Sequence, residues 1–183
     1  MKRRPVALLD ACVLVPMPLA DTLLRLAEPP SLFAVRWSAE ILEEVTRTLE
    51  RRFGKSPDKA RYREMSMREF FPEALVDNYH QLIPQLRNHP KDRHVLAAAL
   101  ACEADYLVTF NLKDFPSARV CDLPTKVIGP SRFLNHLLAL DPTVVRRRLT
   151  QQASAISIPL PILLEKLETT VPSFVAALRQ DGR

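Results

Sequence analysis

PVALLDACVLV, residues 5–15, is an apolar run with a single carboxylate, Asp10, at its centre. The residues before Asp10 are typical of a strand buried on both faces of a parallel sheet, because such strands are continuously hydrophobic. A strand of this kind delivers Asp10 to its carboxyl end, where open α/β sheets bind their ligands. A buried carboxylate without a partner is costly, so it is normally hydrogen-bonded, paired or bound to a metal. We therefore predict an α/β fold in which Asp10 is the first member of a metal site.

The length and composition are those of an ordinary globular protein. With 183 residues, 47% hydrophobic and 26% charged, the chain can form one domain with its own core and an extension. No apolar run approaches the roughly 18 residues of a membrane-spanning helix, and no cleavage-like site follows the basic residues 2–4. We expect a cytoplasmic protein that does not enter a membrane.

Several classes of site are excluded by the residues that would have to form them. The three cysteines are odd in number and form no CxxC pair, and the four histidines show no HExxH or HxH spacing, so a zinc site is not expected. None of the three glycines belongs to a phosphate-binding loop or a dinucleotide fingerprint. The net charge of +5 suits a polyanionic partner, although each basic cluster could equally be a solvated surface.

A helix is predicted over residues 39–52, with Ser38 as its N-cap. Its apolar residues form one stripe, and Glu44 flanks this stripe at a position from which it can reach a buried site. The pattern alone leaves Glu44 open between that role and an ordinary exposed residue. The other glutamates of this helix, Glu40 among them, are predicted to be plain surface residues.

The stretch KDRHVLAAALAC, residues 91–102, predicts a second helix with Asp92 at its N-cap. Capping would by itself explain an acid at this position. The apolar residues follow Asp92 at offsets of three, four, seven and ten, which extends the buried stripe through the acid and points it toward the sheet. The alanines of this helix would let it lie close to the strands.

The strand predicted over residues 106–110 leads into polar residues at its carboxyl end. Thr109, Asn111 and Asp114 occupy the edge of the sheet where ligands bind. The alternative is a simple turn, which Asn and Asp favour and which Pro116 would end. For Asn111 alone, the turn is the preferred interpretation.

The remaining chain is divided by composition rather than by chemistry. Residues 58–82 are predicted to form two or three helices without functional groups, and residues 118–122 and 126–128 to form further short strands. From residue 141 prolines separate short amphipathic helices. We predict a domain over 1–140 and an appended helical subdomain over 141–183.

Four carboxylates therefore converge if the strands are neighbours: Asp10, Glu44, Asp92 and Asp114. Such acids repel one another unless a cation compensates them. Oxygen ligands favour Mg²⁺ or Mn²⁺, and one or two such ions can activate water and stabilise the leaving oxygen of a phosphodiester.

Four stretches carry a family resemblance: LLDACVLV (8–15), WSAEILEEV (37–45), KDRHVLAAAL (91–100) and DYLVTFNLKDFP (105–116). With them the region from about residue 5 to residue 140 resembles the PIN-domain ribonucleases of the VapC toxin type. The resemblance implies a three-layer α/β/α fold with a short central parallel sheet. It also implies metal-dependent cleavage of RNA, a homodimer, and an antitoxin encoded beside the toxin.

The resemblance assigns roles to individual residues. Asp10, Glu44, Asp92 and Asp114 match the family's acidic quartet, with Asp10, Asp92 and Asp114 as metal ligands. The supporting polar positions are Ser38, Thr109 and Asn111. Similar proteins often carry a further acid where this chain has His89, and the extension after residue 140 resembles longer members of the family. RNA is expected to contact Arg93, His94, Arg51 and Arg52 through its phosphates.

Two other functions are compatible with an acid at a strand end. One is phosphotransfer on Asp10 as the nucleophile, as in phosphatases of the haloacid dehalogenase type, where Cys12 stands in place of their second acid. The other is a degenerate domain that binds RNA or a partner helix without cutting. The intact set of four acids argues against the second alternative.

Overall fold

The computed structural model of the protein describes residues 3–180, so the predicted basic residue Lys2 lies outside the described residues. The core of the fold is a five-stranded parallel sheet with the strand order β3-β2-β1-β4-β5. Its strands are β1 (Val6–Leu9), β2 (Ala34–Ser38), β3 (Leu75–Val76), β4 (Tyr106–Val108) and β5 (Lys126–Ile128).

Strand β1 lies at the centre of the sheet, as its continuous hydrophobicity predicts. Leu8 pairs in register with Arg36 of β2 on one side and with Leu107 of β4 on the other. The chain forms β2 and β3 on one side of β1 and then crosses to the other side to form β4. A change of direction of this kind opens a crevice at the carboxyl ends of the two strands that flank it. Asp10 follows β1 at this crevice, and Thr109 follows β4.

Helices flank the sheet, and their ends follow local rules. Ser38 caps α3 by accepting a hydrogen bond from the N–H of Ile41 at 3.2 Å, and Gly54 ends this helix with φ of 60°. The helices up to residue 140 are α1 (Ala11–Leu14), α2 (Met17–Ala27), α3 (Ala39–Phe53), α4 (Pro57–Phe70), α5 (Arg93–Ala101), α6 (Ser117–Val120) and α7 (Pro130–Leu140). Short 3₁₀ turns cover Pro72–Ala74, His80–Gln85, Pro90–Asp92 and Leu112–Asp114.

The extension forms three helices: α8 (Pro142–Ala155), α9 (Leu160–Glu168) and α10 (Pro172–Gln180). They pack against α2 and α7. At the contact of α8 with α2, the buried Thr22 hydroxyl donates to Oε1 of Gln152 at 2.7 Å, and the amide of Gln152 donates to the carbonyl of Pro18 at 2.9 Å. The predicted helical extension is present, and the division into two units at residue 140 stays a prediction.

The sequence prediction was wrong in two segments. Residues 118–122 were expected to be a strand, but Ser117–Val120 is a short helix whose turns close through hydrogen bonds to the carbonyls of Pro116 and Ser117. The stretch after residue 72 was expected to be helical, but it contains β3, which pairs with Trp37 and Ser38. A two-residue strand has no periodicity of its own, so only its partner β2 defines it.

No helix within residues 3–180 is long and apolar enough to cross a membrane.

Candidate functional site

Asp10 is held in the crevice between β1 and β4 by hydrogen bonds with β4, with the residue that follows β4, and with α1. Its N–H donates to the carbonyl of Val108 at 3.1 Å, and the residue is only 3% exposed. The Oδ2 atom accepts a hydrogen bond from the hydroxyl of Thr109 at 2.6 Å and another from the thiol of Cys12 at 3.2 Å. The Thr109 hydroxyl in turn accepts from the N–H of Asn111 at 3.0 Å. One carboxylate oxygen of Asp10 is therefore fixed by the fold itself.

Cys12 contributes to this arrangement as a protonated thiol. Burial and the neighbouring charge of Asp10 raise the pKa of Cys12 to about 12. A thiol in this state donates a hydrogen bond to Asp10 and is a poor nucleophile. Cys12 therefore cannot replace the second carboxylate of a phosphotransfer site.

Asp92 occupies the N-cap position of α5, but its side chain makes no capping hydrogen bond to the described residues. The residue is 8% exposed. Burial and the charges of Asp10 and Asp114 raise the pKa of Asp92 above its ordinary value. Capping therefore does not explain this acid, and the direction of its pKa shift agrees with carboxylates placed close together.

Asp114 lies opposite Asp92, and the backbone of the turn before α5 connects the two acids. The N–H of His89 donates to the carbonyl of Asp114 at 3.0 Å, and the N–H of Asp92 donates to the carbonyl of His89 at 2.9 Å. Each of the three side chains offers a ligand atom within 4.8 Å of the others. This is the one such group among residues 3–180, and it contains His89 in place of the predicted Asp10. Two carboxylates and an imidazole fit a divalent ion.

Glu44 enters the site from α3 through a pairing with His94 of α5. The Nε2 atom of His94 lies 3.3 Å from Oε1 of Glu44, and its ring is 11% exposed. Burial opposes the positive charge of the ring, but the hydrogen bond to Glu44 and the surrounding carboxylates raise the pKa of His94. Glu44 is therefore oriented by His94, and the ring is close enough to sense the charge of Asp10.

Glu40 lies beside the pair formed by Glu44 and His94, and its side chain is 42% exposed. It accepts hydrogen bonds from the hydroxyl of Tyr79 at 2.7 Å and from Nε2 of His80 at 2.9 Å, and it lies 3.9 Å from Nδ1 of His94. Burial disfavours its charge, but these partners together lower the pKa of Glu40. Glu40 lies four residues before Glu44, so the two side chains are neighbours on the same face of α3. Its partners come from a segment in which no chemistry was predicted.

A groove of about 320 Å³ lies beside α3 and includes Glu44 in its lining. We call it the basic groove. Glu44, Arg47 and Arg51 lie on one face of the helix, at offsets of three and seven. The groove is lined by Glu44, Arg47, Thr48, Arg51, Arg52 and Lys91. It includes the predicted Arg51 and Arg52, together with Arg47, Thr48 and Lys91, which the sequence analysis did not select.

Of the other predicted site residues, Arg93 and His94 are half-buried and bonded to the protein, and Ser38 is fully buried. Arg93 donates from Nε to the carbonyl of Asn88 at 3.3 Å, and His94 is committed to Glu44. Ser38 is fully buried at its cap position. The substrate-binding role of Arg93 and His94 and the supporting role of Ser38 stay predictions.

A larger cavity, of about 590 Å³, lies along β5 and is lined mainly by apolar residues. It contains none of the four predicted acids. Size alone therefore does not identify the site, since the polar groups converge elsewhere.

Comparison with known proteins places this geometry in a family. A family model described as PIN domain matches residues 6–113, which is more than half of the chain. The chain belongs to the PIN-domain family. The resemblance found in the sequence and the predicted α/β fold with a short parallel sheet are thereby confirmed.

One curated relative of this PIN domain is named "Putative ribonuclease VapC50", from Mycobacterium tuberculosis (strain ATCC 25618 / H37Rv). The two proteins are 36% identical over 111 residues, which cover 58% of this chain and 65% of the relative. The match thus spans slightly less than two thirds of that protein.

The solved structure of VapBC-1 from nontypeable Haemophilus influenzae aligns with 67% of this chain and 97% of its own, with a TM-score of 0.46 and 17% identity. A likeness this distant carries no argument about the PIN domain described here.

The family match contains Asp10, Glu44 and Asp92, and Asp114 follows its last residue directly. Membership in the PIN-domain family removes the basis for the phosphotransfer hypothesis, which rested on Asp10 alone.

Proposed function

We propose that this PIN-domain protein is a metal-dependent endoribonuclease of the VapC type that acts on RNA in the cytoplasm. The observation that carries the proposal is the placement of His89, Asp92 and Asp114, whose ligand atoms all lie within 4.8 Å of one another. Burial and the nearby charges of Asp10 and Asp114 raise the pKa of Asp92, which agrees with this crowding. A fold normally avoids placing three carboxylates together, and a site that does so is suited to a divalent cation.

Asp92 and Asp114 would hold the ion, with the free oxygen of Asp10 directed to the same crevice. One or two Mg²⁺ or Mn²⁺ ions bound there would supply the positive charge that activates water and stabilises the leaving oxygen of a phosphodiester. The carboxylates also give the reason for metal dependence, because without a cation they repel the phosphate of the substrate.

Glu44 is proposed as the residue that orients the attacking water. It is the acid of the quartet that has a histidine partner at 3.3 Å, and this pairing fixes its direction. A carboxylate held in this way can accept a hydrogen bond from water near the reacting phosphate. His94 is then a positioning residue for Glu44.

RNA would follow the basic groove. Its three arginines and Lys91 can neutralise phosphates, and Glu44 is among its lining residues, so a strand bound there would pass beside that acid. This arrangement supports RNA binding by α3 rather than by Arg93.

The cognate antitoxin and a homodimer complete the proposal. An antitoxin is supported by the name of the relative, VapC50, and by the sequence resemblance to VapC toxins. The homodimer rests on the resemblance alone.

The proposal is tested with purified full-length protein and a structured cellular RNA. We expect cleavage with Mg²⁺ or Mn²⁺, loss of cleavage with EDTA, and recovery when the ion is restored. Asp10→Ala is expected to reduce the rate by at least the roughly 100-fold that supporting groups of a metal site contribute. Asp122→Ala, at an exposed acid away from the crevice, is the control and should cleave normally.

Cleavage that survives both EDTA and Asp10→Ala would overturn the proposal. RNA binding with no cleavage and no bound metal would instead favour the degenerate RNA-binding domain.

A further inference from the structure

We propose that His89 is a nitrogen ligand of the metal site and that it makes the site prefer Mn²⁺ to Mg²⁺. This inference rests on the proposed function, since it names the ion that the same site selects. It concerns a residue outside the predicted acidic quartet.

The position of His89 is fixed by the acids on both sides of it. Its N–H is bound by the carbonyl of Asp114 and its carbonyl by the N–H of Asp92, so the backbone of His89 bridges the two ligand residues. The backbone from which the imidazole projects is therefore held beside both carboxylates.

The ring of His89 faces the site but is not committed to a strong partner. Its Nδ1 lies 3.9 Å from Oδ2 of Asp92, which is too long for a hydrogen bond. The contact that Nδ1 makes is a weak one, from the N–H of Lys91 at 3.4 Å. The side chain is 56% exposed, so an ion can reach it from solvent.

Asn88 provides a second, independent observation at the same turn. Its side chain is fully buried, and neither its amide nitrogen nor its amide oxygen has a hydrogen-bond partner within residues 3–180. A buried amide without partners normally indicates a place for water or an ion. The unsatisfied group directly precedes the proposed ligand.

The donor set determines which ion is preferred. Mg²⁺ is bound almost entirely by oxygen ligands and keeps several of its water ligands, because it loses them reluctantly. Imidazole nitrogen, in contrast, suits transition-metal ions. A site of two carboxylates and one imidazole therefore binds Mn²⁺ more tightly than Mg²⁺. A site made only of carboxylates in the same place would discriminate less between Mn²⁺ and Mg²⁺.

The test measures metal binding directly, on the full-length protein without RNA. Mn²⁺ and Mg²⁺ affinities are determined by calorimetry, and pulsed electron paramagnetic resonance of bound Mn²⁺ detects ¹⁴N coupling from a coordinated imidazole. The variants are His89→Ala and His89→Asp. His136→Ala, at an exposed histidine beside Tyr106, is the matched control.

We expect the wild type and His136→Ala to show ¹⁴N coupling and both His89 variants to lose it. The dissociation constant for Mn²⁺ should rise in His89→Ala by at least the roughly tenfold that loss of an outer-shell partner costs. In His89→Asp the preference for Mn²⁺ over Mg²⁺ should fall by about tenfold, because an oxygen replaces the nitrogen.

Absence of ¹⁴N coupling in the wild type, or an unchanged Mn²⁺ preference in both His89 variants, would overturn the inference. RNA cleavage measured on the same samples separates the two proposals. Metal-dependent cleavage without nitrogen coupling refutes the role of His89 alone. Nitrogen-coupled Mn²⁺ without any cleavage refutes the nuclease alone, and failure to bind either Mn²⁺ or Mg²⁺ refutes both.

Discussion

The two sides of the acidic crevice are built differently. Asp10 is enclosed by protein donors, with the Thr109 hydroxyl at 2.6 Å and the Cys12 thiol at 3.2 Å from one oxygen. Asp92 has no capping hydrogen bond among the described residues, and with Asp114 it faces the half-exposed ring of His89. The carboxylate on one side is satisfied by protein donors, and the carboxylates on the other side have few protein partners among the described residues.

This difference separates positioning from binding. A carboxylate whose hydrogen bonds are already made contributes to folding and presents its remaining oxygen in a fixed direction. A buried carboxylate without such bonds lowers the stability of the folded protein until a cation arrives. The same residue type, at a strand end for Asp10 and at a helix N-cap for Asp92, is therefore expected to have opposite effects on the stability of the metal-free protein.

The largest expected effect is on stability, because two substitutions should change the free energy of unfolding in opposite directions. Asp10→Ala removes the acceptor of the buried Thr109 hydroxyl and of the half-buried Cys12 thiol, and it should lower the free energy of unfolding by about 1–3 kcal/mol. Asp92→Asn removes a charge whose pKa is raised in the fold, so it should increase stability in metal-free buffer at neutral pH. Thermal unfolding measures both, at about 2–4 °C per kcal/mol.

Asp122→Asn, at an exposed acid, is the control and should leave the melting temperature unchanged. If Asp92→Asn destabilises the metal-free protein as much as Asp10→Ala does, the contrast between the two sides is wrong.

A second substitution tests whether the donors of Asp10 matter for the reaction. Thr109→Val removes the hydroxyl that donates to Asp10 and accepts from the N–H of Asn111. We expect cleavage to slow by about 10- to 100-fold, as for other outer-shell partners of metal sites, with RNA affinity unchanged. Initial rates at saturating RNA measure the effect.

Thr125→Val is the matched control, because the buried Thr125 hydroxyl donates to the carbonyl of Ala104 at 2.8 Å, away from the acids. It should cost similar stability and leave the rate intact. Equal rates for both threonine variants would show that the Thr109 hydroxyl is structural only.

The basic groove gives a smaller effect that is confined to binding. Arg47→Ala and Arg51→Ala should each weaken RNA binding uniformly across sequences. Each should also reduce the slope of log affinity against log salt by about 0.7, the value for one phosphate contact on a single strand. Arg179→Ala, at a surface arginine paired with Glu168, is the control. A slope that stays at the wild-type value in both groove variants would place the RNA elsewhere.

The smallest effect concerns the thiols. Cys12, whose pKa is raised to about 12, and Cys102, raised to about 11, stay protonated at mildly alkaline pH and should resist alkylation. Cys121 is exposed and should react. Mass spectrometry of the alkylated protein measures each site, with Cys121→Ser as the control. Rapid labelling of Cys12 would mean that the Asp10 side of the crevice opens readily.

The sequence was most informative where the position of a side chain depends on a single strand or helix. The hydrophobicity of β1 placed Asp10 at the carboxyl edge, and the stripe of α5 pointed Asp92 inward. Those positions depend on local periodicity. The family resemblance added the expectation that the strands neighbour one another.

Contacts between distant segments could not be predicted in this way. Glu40 is joined to Tyr79 and His80 across almost forty residues, and β3 exists only through its pairing with β2. The role proposed for His89 likewise depends on the carbonyl of Asp114, which a turn elsewhere in the chain supplies. Pairings of this kind are set by tertiary packing, which leaves no local pattern.

Helix α3 carries both Glu44 and the arginines of the basic groove on one rigid rod. At 1.5 Å per residue, Glu44 and Arg51 are separated by about 10 Å along the axis. If RNA follows the proposed path, the length of α3 sets the distance between the phosphates bound by the arginines and the phosphate that is cleaved. Inserting a single residue between Glu44 and the arginines would rotate the arginines by about 100° about the helix axis. RNA binding by the arginines would then be separated from cleavage, while every acid stays in place.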